Sequence, residues 1–352
     1  MMMNNKKTSG IDVTETTVKN IANSTKKSMR DGDIRLAESS TDELQAVKPH
    51  RLLVSYHDLP HWQKDNDYIL HGYVRETNSY WLSIDCLFFL HNESINIYSH
   101  LVPGFIFPLF LVVFVPWLSI HENFISCIPT WLIYLPKFTN TDETDNLVFL
   151  LFFIGFMFCL TCSATFHTLK SHSHRVSIIG NCLDYAGILV LIGTSLISVI
   201  HYALIDHQHM KNMFVTIIVI IGFISLCFTW HPKFKTPAWR PIRTSMFIMF
   251  SFSGLLPICY ALAIMDFTTI VNRAGLKYVA LEGLSYLSGA ALYACRFPER
   301  LAPGIFDLFG HGHQLFHLLV VSGAYWHLRA LGHAYIVAKS STLSGEIVSK
   351  AL

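Results

Sequence analysis

Charge is scarce in this chain. Lysine, arginine, aspartate and glutamate supply only 14% of its 352 residues while 52% are hydrophobic, and the mean hydropathy of +0.40 excludes an ordinary soluble domain. Net charge is +2 with histidine neutral, so no broad basic face argues for nucleic acid. A loop-borne disulfide framework is also missing. Of the eight cysteines, Cys86, Cys159, Cys162, Cys182, Cys227, Cys259 and Cys295 lie in or beside apolar runs and Cys127 lies in a connecting segment. The Cys159/Cys162 pair sits inside an uninterrupted hydrophobic stretch and reads as packing rather than thiol chemistry. No compact apolar run precedes Trp81, which excludes a cleaved secretory signal and leaves the N-terminus expected in the cytosol.

What is abundant is long apolar sequence. Seven runs are long enough to span a bilayer: Ile95–Leu118, Leu147–Leu169, Ile178–Leu204, Met213–Trp230, Ser245–Met265, Tyr278–Cys295 and Gln314–Val337. The expected fold is therefore an all-α integral membrane protein, a bundle of seven transmembrane helices. Residues 1–50, rich in Ser, Thr, Asn and Lys, read as a disordered cytosolic tail; 51–94 as a cytosolic juxtamembrane segment; 95–337 as the membrane domain; and 338–352 as a short tail. Loop charge sets the orientation. With the N-terminus inside, the cytosolic loops hold Lys170, Arg175, Lys233, Lys235, Arg240, Arg243, Arg296 and Arg300. The outer loops hold only Lys137, Lys211, Arg273 and Lys277, with the acids Glu122, Asp142, Glu143 and Asp145 in the first of them. An N-terminus in the cytosol and a C-terminus outside follow, and the sequons at Asn23 and Asn92 then face the cytosol unglycosylated.

Ionisable side chains within a bilayer are costly and mark function. His167 ends the second run, Asp184 lies about a turn and a half into the third, and His313 and His317 open the seventh. The alternating topology puts all four at one depth in the cytosolic leaflet. His313 and His317, four apart, share one helix face. Three imidazoles make an incomplete tetrahedron for Zn2+, leaving a fourth position for water whose pKa the metal lowers to about 7. Asp184 is the expected partner of that water, with an interhelical hydrogen bond or direct ligation as the alternatives. Ser163, one turn before His167, faces the same site as a hydrogen-bond donor or as packing. His313-Gln-Leu-Phe-His317 lacks the glutamate of a zincin peptidase. Asn92, Asn96 and Ser99 share a face at the start of the first run with His100 beside them, and Glu93 either supports the site or caps the helix. His172, His174, His201, His327 and His333 read as loop or interfacial residues.

Five stretches carry a family resemblance: Tyr68-Ile-Leu-His-Gly-Tyr73, His91-Asn-Glu-Ser-Ile-Asn-Ile-Tyr-Ser-His100, Ser163-Ala-Thr-Phe-His167, Leu183-Asp-Tyr-Ala-Gly187 and Gly312-His-Gln-Leu-Phe-His317. Over Leu59–Gly332 the chain resembles the progestin and adipoQ receptor family, which includes the adiponectin receptors and is related to haemolysin III proteins; it is similar to the fungal members. The resemblance implies a seven-helix bundle of topology opposite to G-protein-coupled receptors, zinc held by His167, His313 and His317, Asp184 at the zinc water and Ser163 lining the site. It further implies roles in zinc, sterol and lipid homeostasis and ceramidase-like hydrolysis. The tail and the acidic first outer loop are not part of that pattern.

Two functions follow as expectations: a zinc-dependent intramembrane hydrolase of a ceramide-like lipid amide, or a receptor for an external ligand whose zinc is structural. The membrane is the endoplasmic reticulum or the plasma membrane, and assembly as a homo-oligomer is left open. A zinc transporter ranks below both, because the outer halves of the runs hold almost no acids. A rhodopsin lacks its lysine in the seventh run.

Overall fold

In the computed structural model, the described residues are 52–114, 128, 130, 132–133, 135–136, 138–231, 234 and 236–351. The expected disordered tail, the Asn23 sequon, Cys127, Glu122, Lys137, Lys233, Lys235 and the end of the first apolar run lie outside the described residues. From Leu53 onward the chain forms one compact unit.

Helices occupy every apolar run. They are α1 (Tyr80–Ile84), α2 (Ser94–Phe114), α3 (Glu143–Leu169), α4 (His174–Ala203), α5 (Gln208–Thr229), α6 (Arg240–Phe252), α7 (Leu255–Ile264), α8 (Phe267–Arg273), α9 (Leu276–Cys295) and α10 (Gly312–Ala351). By length and composition, α3, α4, α5 and the Arg240–Ile264 segment are each able to cross a membrane. That last segment is broken, which the uniform apolar sequence does not announce. Pro257 has no N–H to donate at the start of α7, and the break falls at Ser253–Gly254 just before it. Ser251 and Ser253 return their hydroxyls to the Phe247 and Phe250 carbonyls at the end of α6.

The α3 start is fixed by a reciprocal capping box. Asp142 accepts from the Asp145 N–H, and the Asp145 carboxylate accepts from the Asp142 N–H. Asp145 is 1% exposed and also takes the Tyr202 hydroxyl at 2.9 Å and the Lys339 ammonium at 2.5 Å, joining α3, α4 and α10 at this end of the bundle.

α4 is the central helix. On one side Leu191 and Tyr202 pack with Phe149, Phe152, Phe153, Leu331 and Tyr335; on the other Leu189 and Ile200 pack with Phe214, Ile218, Phe250 and Ile270. Close approach of α3 and α4 depends on Gly187, where a Cβ would lie 2.9 Å from the Cys159 Cα. Small residues at such crossings let helix backbones touch in the absence of a hydrophobic drive. Cys159 is thus a buried packing residue, 2% exposed, as expected. Away from the core, Val219, Ile220 and Phe223 of α5 are more than half exposed and share one side of the helix, an apolar face suited to lipid.

Successive long helices alternate in direction. The ends of α3, α5 and α9 and the starts of α2, α4, α6 and α10 gather at one end of the bundle, where the segment before α2 packs across them. Its short strands β1 (Leu53–Val54) and β2 (Tyr73–Val74) pair antiparallel. The Thr77 and Asn78 N–H groups reach the Ser171 and His172 carbonyls after α3. Asp65 is held by Arg240 at the start of α6, and Asp67 by Arg296 after α9 at 2.5 Å. Burial pushes the Asp65 carboxyl up, but Arg240, Lys170 and Arg296 together hold it below the usual carboxylate range.

Candidate metal centre

His167, at the end of α3, meets His313 and His317, in the first two turns of α10, because both termini arrive at the same end of the bundle. One ligand atom from each lies within 4.8 Å of the others. Their rings meet edge to face, with centroids 4.8 to 5.0 Å apart.

The surroundings fix which nitrogen is free. The His317 Nδ1 is 3.0 Å from the Asn96 carbonyl, which can only accept, so Nδ1 carries the proton and Nε2 holds the lone pair. The same logic applies to His167, whose Nδ1 donates to the Glu93 carboxylate at 2.8 Å. His167 Nε2 is buried without a hydrogen-bond partner among the described residues and lies 3.9 Å from Asp184 Oδ2. An orphaned imidazole nitrogen aimed at two other imidazoles and a carboxylate is what a metal ligand needs, and the donor set suits zinc. His100 stacks on His317 at a 4.0 Å centroid distance and fixes its ring plane from behind.

Glu93 is itself held by Lys170 at 2.5 Å and by the Asn96 amide at 2.6 Å. Burial pushes its carboxyl up, yet Lys170 and His167 outweigh that and hold it well below the usual range. Burial lowers the Lys170 ammonium, but Glu93 and Asp65 reverse the direction and raise it. Glu93 thus supports the site, the first of its two expected roles. Lys170 entered the sequence reading only as a loop charge; its position three residues after His167, on the same helix face, was the available signal.

Asp184 stands on α4, where it is 7% exposed, with Ser163 of α3 beside it and also buried. Of the other expected residues, Asn92 and Asn96 are buried and serve mainly through their backbone carbonyls, while Ser99 donates to the Asn96 carbonyl. Gln314, which takes the place of a zincin glutamate, is 1% exposed and ties the chain together: its amide donates to the Asn92 and Leu308 carbonyls and accepts from the Gly310 N–H. Before α10, Glu299 accepts from the Gly312 N–H at 2.7 Å, placing a carboxylate at the helix start.

Asp184 and His313 open onto a cavity of about 650 Å³ that runs between α4, α6, α7, α9 and α10. Trp62, Lys64 and Asp65 border it at the metal-centre end, and Leu191, Leu196, Phe247, Ile258, Val320 and others make most of its wall apolar. One residue at its far end corrects the sequence reading. His327 is fully buried rather than interfacial, and its Nδ1 donates to Glu282 of α9 at 2.9 Å.

A lipid-facing helical bundle with three convergent imidazoles beside a long apolar cavity defines an integral membrane protein with a candidate metal centre. The chain belongs to the haemolysin-III related family, which it matches over residues 88–328. It is 42% identical to the ADIPOR-like receptor IZH2 of Saccharomyces cerevisiae, covering 83% of this chain and 86% of that protein. It is 34% identical to heptahelical transmembrane protein 4 of Arabidopsis thaliana, covering 84% and 93%. With the adiponectin receptor protein of Drosophila melanogaster the identity is 33%, over 78% of this chain and 58% of that one.

Proposed function

We propose that the protein is a zinc-dependent intramembrane hydrolase of a long-chain, ceramide-like lipid amide, acting in lipid, sterol and zinc homeostasis in the endoplasmic reticulum or plasma membrane. In this reading the chain crosses the bilayer seven times with its N-terminus in the cytosol, and the membrane domain spans 95–337. The observation that carries it is the union of His167, His313 and His317 with Asp184 at the mouth of an apolar cavity. When bound, zinc supplies Lewis acidity and lowers the pKa of a water.

The chain's own residues do the rest. Glu93 and the Asn96 carbonyl hold two imidazoles in the tautomer with a free Nε2. Asp184, whose Oδ2 is 3.9 Å from His167 Nε2, takes a proton and passes it to the leaving amine, and Ser163 orients its carboxylate. The apolar wall seats the chain of the substrate and excludes bulk water. Ceramide turnover and zinc content, measured together for purified wild type and His313→Ala, test this: both should fall in the variant, and unchanged values for both refute it.

A receptor with a structural zinc is the second reading, favoured by the receptor names of the yeast and fly relatives. It requires that His317→Ala collapse thermal stability while fully zinc-loaded wild type hydrolyses none of the lipids tried. Zinc transport stays behind both. Glu282 and His327 form one buried polar pair in the other half of the bundle, and apolar side chains separate that pair from the metal centre.

A further inference from the structure

The far end of the cavity holds a polar cluster that the hydrolytic reading does not use. Glu282 (α9) accepts the His327 Nδ1–H at 2.9 Å, and the Ser198 hydroxyl lies 2.8 Å from His327 Nε2 and 2.8 Å from the Ser195 carbonyl. A carboxylate in the middle of a membrane bundle is costly unless paired. Here only half of it is. Oε2 is bonded to His327, while Oε1 accepts no hydrogen bond from the described residues. Glu282 and His327 border the cavity, and so do Ser195 and Tyr286, whose hydroxyl oxygens are buried without partners among the described residues. One unfilled acceptor and two unpaired hydroxyls at the end of an apolar cavity are an incomplete hydrogen-bond set. The order Ser198–His327–Glu282 is also that of a nucleophilic triad, but Ser198 is fully enclosed and does not border the cavity, so no substrate carbonyl reaches its oxygen.

We propose that Glu282, His327, Ser195 and Tyr286 form a second subsite that binds a hydroxyl group at the far end of a long-chain ligand whose other polar end lies at the metal centre. It rests on the reading of the cavity as a lipid site. Two helices give the spacing independently. His317 and His327 are ten residues apart on α10, and Asp184 and Ser195 eleven apart on α4, which at 1.5 Å per residue is roughly 15 to 16 Å, the reach of about a dozen extended methylenes. A hydroxyl donates to Glu282 Oε1 and accepts from both Ser195 and Tyr286 through its two lone pairs, completing each partner. A chain ending in a methyl leaves all three unsatisfied, and removing one hydrogen bond to a charged group weakens binding by about tenfold or more.

The test is a matched pair of probes, tetradecanoate and 14-hydroxytetradecanoate, titrated into the purified full chain in lipid nanodiscs. Wild type should bind the hydroxylated chain about tenfold more tightly. Glu282→Gln should reduce that preference to about threefold or less. Should Glu282→Gln fail to fold, Ser195→Ala, which leaves the Glu282–His327 pair intact, should still cut the preference by about threefold. No preference in wild type, or an undiminished preference in a folded variant, overturns the proposal. Zinc content of the same preparations separates the two readings. Protein without zinc that keeps the preference sinks the metal centre alone; zinc-loaded protein without the preference sinks the subsite alone.

Discussion

Glu93→Gln isolates the support of the metal centre from the ligands themselves. The Glu93 carboxylate serves three donors at once: His167 Nδ1 at 2.8 Å, Lys170 Nζ at 2.5 Å and the Asn96 amide at 2.6 Å. Glutamine has one acceptor oxygen where glutamate has two. Either His167 or Lys170 then faces an N–H it cannot bond, and the negative charge that makes the imidazole a better donor to a cation is gone. Loss of such a ligand-orienting carboxylate costs about 10- to 100-fold in metal affinity, or ~1.4 to 2.7 kcal/mol. A competitive chelator titration of detergent-solubilised protein reads this directly. The gain in unfolding free energy on adding a fixed excess of zinc should shrink by the same ~1.4 to 2.7 kcal/mol. Glu93→Asp, which keeps the charge at shorter reach, should recover part of the affinity. A folded Glu93→Gln protein that binds zinc within about twofold of wild type would refute the assignment of Glu93 to His167.

Three further outcomes follow from packing and charge. Asp145→Asn leaves the Lys339 ammonium, only 8% exposed, without its closest charge partner, and should lower stability by about 3 to 5 kcal/mol in denaturant unfolding; a change under about 1 kcal/mol contradicts the buried pairing. Gly187→Leu forces a side chain onto the Cys159 backbone and should cost at least about 1 to 3 kcal/mol, read as a fall in thermal midpoint together with lost zinc, since α3 and α4 carry His167 and Asp184. Asp65, with its folded-state carboxyl below 3.8, contributes stability that is present above 3.8 and lost as pH falls below it. Its side chain is 42% exposed, so the effect is small; Asp65→Asn should flatten the fall in unfolding free energy between pH 5 and 3, by about 1 kcal/mol or less, read by denaturant unfolding.

Much of the centre was legible because two periodicities coincide in it. Apolar run length located the helices, and alternating direction brought His167, Asp184, His313 and His317 to one end; neither step needs a long-range contact to be guessed. Glu93 was half legible, as a carboxylate at the right depth without a visible partner. Lys170 was hidden because a basic residue after a span is equally well explained by loop charge. The break at Ser253–Gly254 was hidden because hydropathy averages over it. His327 and Glu282 were missed for a related reason. Their pairing spans 45 positions between two helices, and each alone resembles an isolated polar residue near a membrane boundary. The segment before α2 carries no span and little periodicity, yet its Asp65 and Asp67 fasten it to Arg240 and Arg296, contacts that only the folded bundle brings into range.

α10 runs from Gly312 to Ala351 as one uninterrupted helix, and it carries His313 and His317 near its start and His327 two to three turns further on. No proline or break lies between them, so the distance from one polar site to the other is as fixed as the pitch of the helix. The molecule therefore contains a ruler. Whatever occupies the cavity is measured against a rod that neither stretches nor hinges, and when that rod shifts, both of its marks move together.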